Sequence, residues 1–118
     1  MKKVLIAEDN DSNFVLMSYI LKKFYQYERA RNGQEAVELV DKNQYDLVLM
    51  DIKMPVMDGL EATKAIKEKH PDLPIIALTA NAFDSDRQLA EEAGCNDFLA
   101  KPVSSEACIA TIKNLIGE

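Results

Sequence analysis

Four short apolar runs in this 118-residue chain each stop at a residue able to do chemistry. Val4-Leu-Ile-Ala7 runs into Glu8-Asp9, Leu47 to Met50 into Asp51, Ile75-Ile-Ala-Leu78 into Thr79-Ala80, and Phe98-Leu-Ala100 into Lys101-Pro102. An unbroken apolar run this short suits a strand buried on both faces, as in a parallel sheet. Met54-Pro55 and Asp58-Gly59 are turn signals, so the chain leaves the sheet just after Asp51. Asp51 then stands at the carboxyl end of a central strand, the edge where open α/β sheets bind ligands. A lone aspartate after a strand usually caps a turn. With the four runs parallel, however, three carboxylates, one hydroxyl and one ammonium converge on a single rim.

The segments between the runs read as helices. Asp11 or Ser12 caps a first helix reaching about Phe24, with Phe14, Met17, Leu21 and Phe24 on one buried face. Tyr27 to Ala30 alternates as a short edge strand, and Asn32-Gly33 breaks it. A second helix covers Gln34 to Lys42 with Ala36, Val37 and Val40 inward, and a third covers Leu60 to Lys69. His70 to Pro74 leads back to the sheet. Asp84 and Asp86 put negative charge near the start of a fourth helix, which ends at Ala93-Gly94. Asn96 to Ala100 is the fifth strand. Ser104 caps a last helix with Glu106 in its first turn and Ile109, Ile112 and Ile116 along one side. This fivefold β-α alternation implies an α/β, doubly wound parallel sheet with helices on both faces. The polar strand belongs at an edge. Order 2-1-3-4-5 places it there and sets Glu8, Asp9 and Asp51 in one crevice at the topological switch point.

At this length the chain is expected to form one domain, residues 1–118, burying about two-thirds of its unfolded surface. A net charge of −6 disfavours direct nucleic-acid binding, which needs clustered cations. No apolar stretch approaches the roughly 20 residues of a membrane span, and nothing resembles a signal peptide, so a cytoplasmic setting is expected. Cys95 and Cys108 have no metal-ligand spacing and read as reduced, partly buried small hydrophobes. His70, the sole histidine, reads as a solvated loop residue, and Met54 and Met57 as packing residues beside a turn.

Carboxylates crowded together repel unless a cation neutralises them, and oxygen-only ligands suit Mg²⁺. With Lys101 and Thr79 added, the crevice holds the parts of a phosphoryl-transfer site, where catalysis is mostly positioning and charge neutralisation. Nucleotide binding is disfavoured, because Glu8-Asp-Asn-Asp11 offers anions where a phosphate needs backbone donors.

Glu8-Asp9, Asp51, Met54-Pro55, Asp58-Gly59, Thr79-Ala80, Phe98 and Lys101-Pro102 occur in order on successive strand ends. Over essentially its whole length the chain resembles a response regulator receiver domain of two-component signalling. Glu8-Asp-Asn-Asp-Ser-Asn13, Met50 to Pro55 and Ala93-Gly-Cys-Asn-Asp97 are similar to receivers of hybrid sensor histidine kinases. The resemblance implies that Asp51 accepts a phosphoryl group from a phosphohistidine on a histidine kinase or histidine phosphotransfer domain. It implies Mg²⁺ held by Asp9, Asp51 and the backbone carbonyl of Lys53, with Glu8 acting mainly through metal-bound water. Lys101, Thr79 and the Ala80 N–H would bind the phosphoryl oxygens. Thr79 and Phe98 would form the switch, Phe98 offering no hydroxyl to hold an inward rotamer, and Asn81 and the Lys53 side chain would tune water access. A phosphorylation-dependent dimer is compatible with such a module.

Two other readings compete. An Mg²⁺-dependent phosphohydrolase with an Asp nucleophile usually carries a second Asp two residues on, where this chain has Lys53. A structural pseudo-receiver would not need Glu8, Asp9, Asp51, Thr79 and Lys101 all present. Whether the chain is a free-standing regulator or a piece of a hybrid kinase is open at this point. A cis Lys101-Pro102 bond is expected, since before proline it costs only about 0.5–1 kcal/mol.

Overall fold

The computed structural model describes residues 1–80 and 84–117, without the side chains of Asp84 and Ser85. Asn81 and Phe83 therefore lie outside the described residues, as does the side-chain charge expected from Asp84. The elements alternate strictly: β1 (Lys3–Ala7), α1 (Asp11–Leu21), β2 (Gln26–Ala30), α2 (Gly33–Lys42), β3 (Leu47–Asp51), α3 (Gly59–Lys69), β4 (Ile75–Thr79), α4 (Asp84–Ala93), β5 (Asp97–Ala100) and α5 (Ser105–Ile116). The five strands are parallel in the order β2-β1-β3-β4-β5.

The pleat explains why the central strands are apolar throughout. Val4, Ile6, Leu47, Leu49, Ile76 and Leu78 face Met17, Ile20 and Leu21 of α1 and Cys108 and Ile112 of α5. Leu5, Ala7, Val48, Met50 and Ile75 face Ala36 and Val40 of α2 and Ala62 and Ile66 of α3. Successive side chains point to opposite faces, and both faces are covered, so neither parity tolerates a polar residue. Polarity returns at the carboxyl ends of the central strands, with Asp51 and Thr79, and at the edge, where Gln26, Tyr27 and Glu28 of β2 are exposed.

Two details of α1 differ from the sequence reading. The cap is Asn10, not Asp11 or Ser12, and its side chain accepts from the Asn13 N–H at 3.0 Å. Asp11 is already inside the first turn and pairs with Arg29 instead. The helix stops at Leu21, so Phe24 falls out of phase and is 47% exposed, while Ile20 takes the buried position. Elsewhere Ser104 caps α5 as expected, accepting from the Ala107 N–H at 3.1 Å. β5 begins one residue late, at Asp97, and the Asn96 Oδ1 accepts from Ile75 N–H and Lys67 Nζ.

Both cysteines are free. Cys108 is fully buried, which pushes its thiol up to about 11, and burial also raises Cys95. Both behave as small hydrophobes.

Candidate functional site

Register builds the site. Ala7 lies beside Met50 and Asp51 beside Leu78, while Thr79 lies beside Ala100. Glu8 and Asp51 are therefore neighbours one step past the Ala7–Met50 pair, and Lys101 follows immediately after Ala100. All three leave the sheet at its carboxyl edge. Carboxylate oxygens of Glu8, Asp9 and Asp51 come within 4.8 Å of one another. They line a cleft of about 200 Å³ with Asn10, Asn13, Lys53, Ala80 and Lys101. A broader hollow of about 910 Å³ opens between the loops at the other end of the sheet, around Asp41, Tyr45 and His70. It is open to solvent, and among the described residues it brings no three metal-ligating groups together as the cleft does.

Lys101 ties the cluster. Its Nζ lies 3.0 Å from Asp51 Oδ2 in an aligned hydrogen bond and 2.9 Å from Glu8 Oε1. The second contact is close but badly directed, so the buried Glu8 Oε1 has a charge partner and no aligned donor. Glu8 Oε2 accepts from the Asn10 N–H at 3.3 Å, and Asp51 Oδ1 accepts from the Lys53 N–H at 3.1 Å. Burial pushes the Glu8 carboxyl up to about 7, Asp51 adds to the rise, and Lys101 opposes it. Burial works against the Lys101 ammonium too, but Glu8 and Asp51 more than offset it and hold its pKa above the ordinary lysine value.

Thr79 is buried at the end of β4, and Ala80 is exposed at the cleft. Lys101 N–H donates to the Thr79 carbonyl at 2.7 Å, and the following Lys101-Pro102 bond is cis. Phe98 is half-buried against Ile52, Ala77 and Ala90, and the Arg87 guanidinium lies 4.8 Å from its ring centre. Met54 is buried and Met57 packs beside it, as packing residues should. His70 sits away from the cleft, hydrogen-bonded to Asp41 at 3.0 Å.

The donor set fits a hard divalent cation. It consists of oxygen atoms only, and one buried carboxylate oxygen lacks an aligned donor. With Glu8 ionised, three carboxylates against one ammonium leave two negative charges, which one divalent cation would neutralise.

Gly59 is a site residue whose real task is hidden in the sequence, where Asp58-Gly59 signals only a turn. Its N–H donates to the Ile52 carbonyl at 3.0 Å. A Cβ there would sit 2.6 Å from Ile52 Cα and closer still to the Asp51 carbonyl oxygen. These are backbone atoms and cannot swing aside. Gly59→Ala is expected to destabilise the fold by about 3 kcal/mol, the upper end for overpacking, and to displace Asp51. An unchanged urea unfolding midpoint would refute this.

Residues 4–113 match the family described as response regulator receiver domain. Hybrid signal transduction histidine kinase B of Dictyostelium discoideum is 44% identical over 128 residues, covering 96% of this chain. The chain spans only 6% of that protein's length. The receiver domain of sensor histidine kinase PA1611 from Pseudomonas aeruginosa PAO1, solved with a magnesium ion coordinated in its active site cleft, superposes with a TM-score of 0.93. It is 36% identical and covers 99% of this chain and 98% of that one. The Saccharomyces cerevisiae Ssk1 receiver domain, solved with the histidine phosphotransfer protein Ypd1, belongs to a structure that also gives 0.93, at 34% identity over 98% of this chain and 89% of that one. The chain belongs to the response regulator receiver family and is a receiver domain of two-component signalling, a class whose general role is to accept a phosphoryl group on aspartate. Among the described residues no helix is long and apolar enough to cross a membrane.

Proposed function

We propose that residues 1–118 act as one receiver module in which Asp51 is the phosphoacceptor. The observation that carries this is the Asp51 carboxylate itself. It ends the central strand, is held by the Lys53 N–H and Lys101, and sits within 4.8 Å of two further carboxylates. An Asp51 oxygen attacks the phosphorus of a phosphohistidine. The P–O bond forms as the P–N bond breaks, and the imidazole leaves with the electron pair. Lys101 neutralises charge on the phosphoryl oxygens, and the Thr79 hydroxyl and Ala80 N–H bond the group after transfer. Glu8, Asp9, Asp51 and the Lys53 carbonyl would hold Mg²⁺, which supplies neutralisation between the carboxylates and the incoming anion.

On this reading the chain catalyses its own phosphorylation and is not a turnover enzyme. The new charge and acceptors on Asp51 draw Thr79 towards them, and Phe98 turns into the space released. Its partner is a histidine kinase or histidine phosphotransfer protein, the second in keeping with the yeast Ypd1–Ssk1 complex. Val15, Leu16 and Tyr19 leave an exposed apolar stripe on α1, and Leu16 borders Glu8 and Lys101. That stripe gives the phosphodonor a surface within reach of Asp51. A cytoplasmic location, no contact with nucleic acid and a phosphorylation-dependent dimer complete the proposal.

Incubation with acetyl phosphate and Mg²⁺ tests it. Intact mass is expected to rise by one phosphoryl group, and removing the cation with EDTA should prevent the gain. Incorporation undiminished by EDTA, or none in either condition, overturns the reading.

A further inference from the structure

The loop from Glu8 to Asn10 carries two of the three carboxylates, yet Asp9 is exposed and no carboxylate contact of its own fixes it among the described residues. Asp9 stays near the cleft only if its neighbours hold the backbone. Both backbone groups of Glu8 are held by β2. Glu8 N–H donates to the Ala30 carbonyl at 3.0 Å, and the Glu8 carbonyl accepts from Arg29 Nε at 3.1 Å. The same guanidinium reaches across the loop, its Nη1 lying 2.9 Å from Asp11 Oδ1, and it stacks 4.6 Å from the Phe14 ring centre. One side chain thus grips both ends of the segment Glu8 to Asp11. Arg31 does not duplicate this, being two-thirds exposed and 3.8 Å from Asp11.

The arginine is an expensive way to fill this place. Its side chain is only 13% exposed, and Nη2 is buried without a hydrogen-bond partner. A buried donor left unpaired costs stability, and an apolar side chain would cover Phe14 without that loss. A planar fork, by contrast, can bond two acceptors in fixed relative positions, which neither an apolar residue nor an ammonium does. Groups of this kind, one step behind the ligands, commonly change metal affinity by 10- to 100-fold when removed.

We propose that Arg29 is a positioning residue for the metal-binding loop, fixing the Glu8 carbonyl and Asp11 so that Asp9 faces the cleft. This rests on the reading of the cleft as a Mg²⁺ site. Arg29→Met keeps the stem over Phe14 and removes the fork. Mg²⁺ titration followed by amide chemical shifts is expected to show about tenfold weaker binding, and the Asp9 and Asn10 amides should exchange faster in the metal-free variant. Arg29→Lys, which keeps charge and stem, should fall between. Tyr45→Phe removes the Tyr45–Glu28 hydrogen bond on the same edge strand and should leave Mg²⁺ affinity unchanged. If Arg29→Met does not fold, Arg29→Lys decides. Affinity within twofold of the parent in the folded variants, or equal weakening in Tyr45→Phe, overturns the role of Arg29. If the parent itself binds no Mg²⁺, the cleft reading falls, and unchanged exchange at Asp9 and Asn10 then overturns the positioning role separately.

Discussion

Asp51→Asn is expected to take up no phosphoryl group from acetyl phosphate in the presence of Mg²⁺, while remaining folded. The amide has nearly the shape of the carboxylate and its oxygen can still accept from the Lys53 N–H. On the proposed reading, what disappears is the nucleophile and one ligand charge. Glu8 and Asp9 remain nearby, so the variant also asks whether a neighbouring carboxylate can substitute. Glu8 should not, because it is fully buried and paired with Lys101. Asp9 should not, because only Asp51 has both oxygens already oriented by donors from its own loop and from Lys101. Stoichiometric mass gain in Asp51→Asn would sink the assignment.

Lys101→Met should have the second largest effect, and it is read first in stability. The substitution keeps most of the apolar stem and removes the only cation paired with Glu8 and Asp51 among the described residues. Leaving buried charge unpaired costs about 3 kcal/mol, the lower end of the range because Lys101 keeps partial access to water. The pH dependence has a definite sign. Glu8 stands at about 7 in the folded chain, above its ordinary 4.5, chiefly through burial. Its contribution to stability is therefore complete below about 4.5 and is lost as pH rises through 7. Without Lys101 that loss extends to higher pH. The variant should be clearly weaker than the parent at neutral pH, and the gap should narrow as the pH falls and Glu8 takes up a proton. Mg²⁺ should restore part of the difference, since it offsets the same carboxylates. Phosphorylation should slow by about 100-fold, the scale for losing one charge-stabilising donor. Urea unfolding at several pH values checks the first claim. A midpoint equal to the parent's at neutral pH would show that Lys101 does not neutralise the pair.

Much of this molecule is a local property of its chain. Apolar runs of three or four residues ending at Glu8, Asp51, Thr79 and Lys101 specify buried parallel strands, because only a sheet covered on both faces excludes polar residues from both parities. Turn residues after each run send the chain off the same edge of the sheet, so the identities at the rim could be read in order. The polar sequence of β2 marked it as an edge for the same reason. Choices among near-equivalent residues were less legible. Glu8-Asp-Asn-Asp-Ser-Asn13 offers several helix caps in a row, and in the fold Asn10 takes the cap while Asp11 pairs with Arg29 of β2. Periodicity placed Phe24 inside because it could not register that α1 ends at Leu21.

Burial and pairing at the rim required the tertiary structure. Nothing local distinguishes Glu8 from Asp9, yet one is sealed from water against Lys101 and the other is open to the cleft. The bridge from Lys101 to Asp51 joins residues 50 positions apart. Arg29 reaches Glu8 across 21, and Gly59 is required by the backbone of a strand that it follows. Sequence pattern fixes which face of an element meets the core, because that depends on spacing within a few residues. Which charged atom meets which depends on how strands and loops stack in space, and there the fold alone decides.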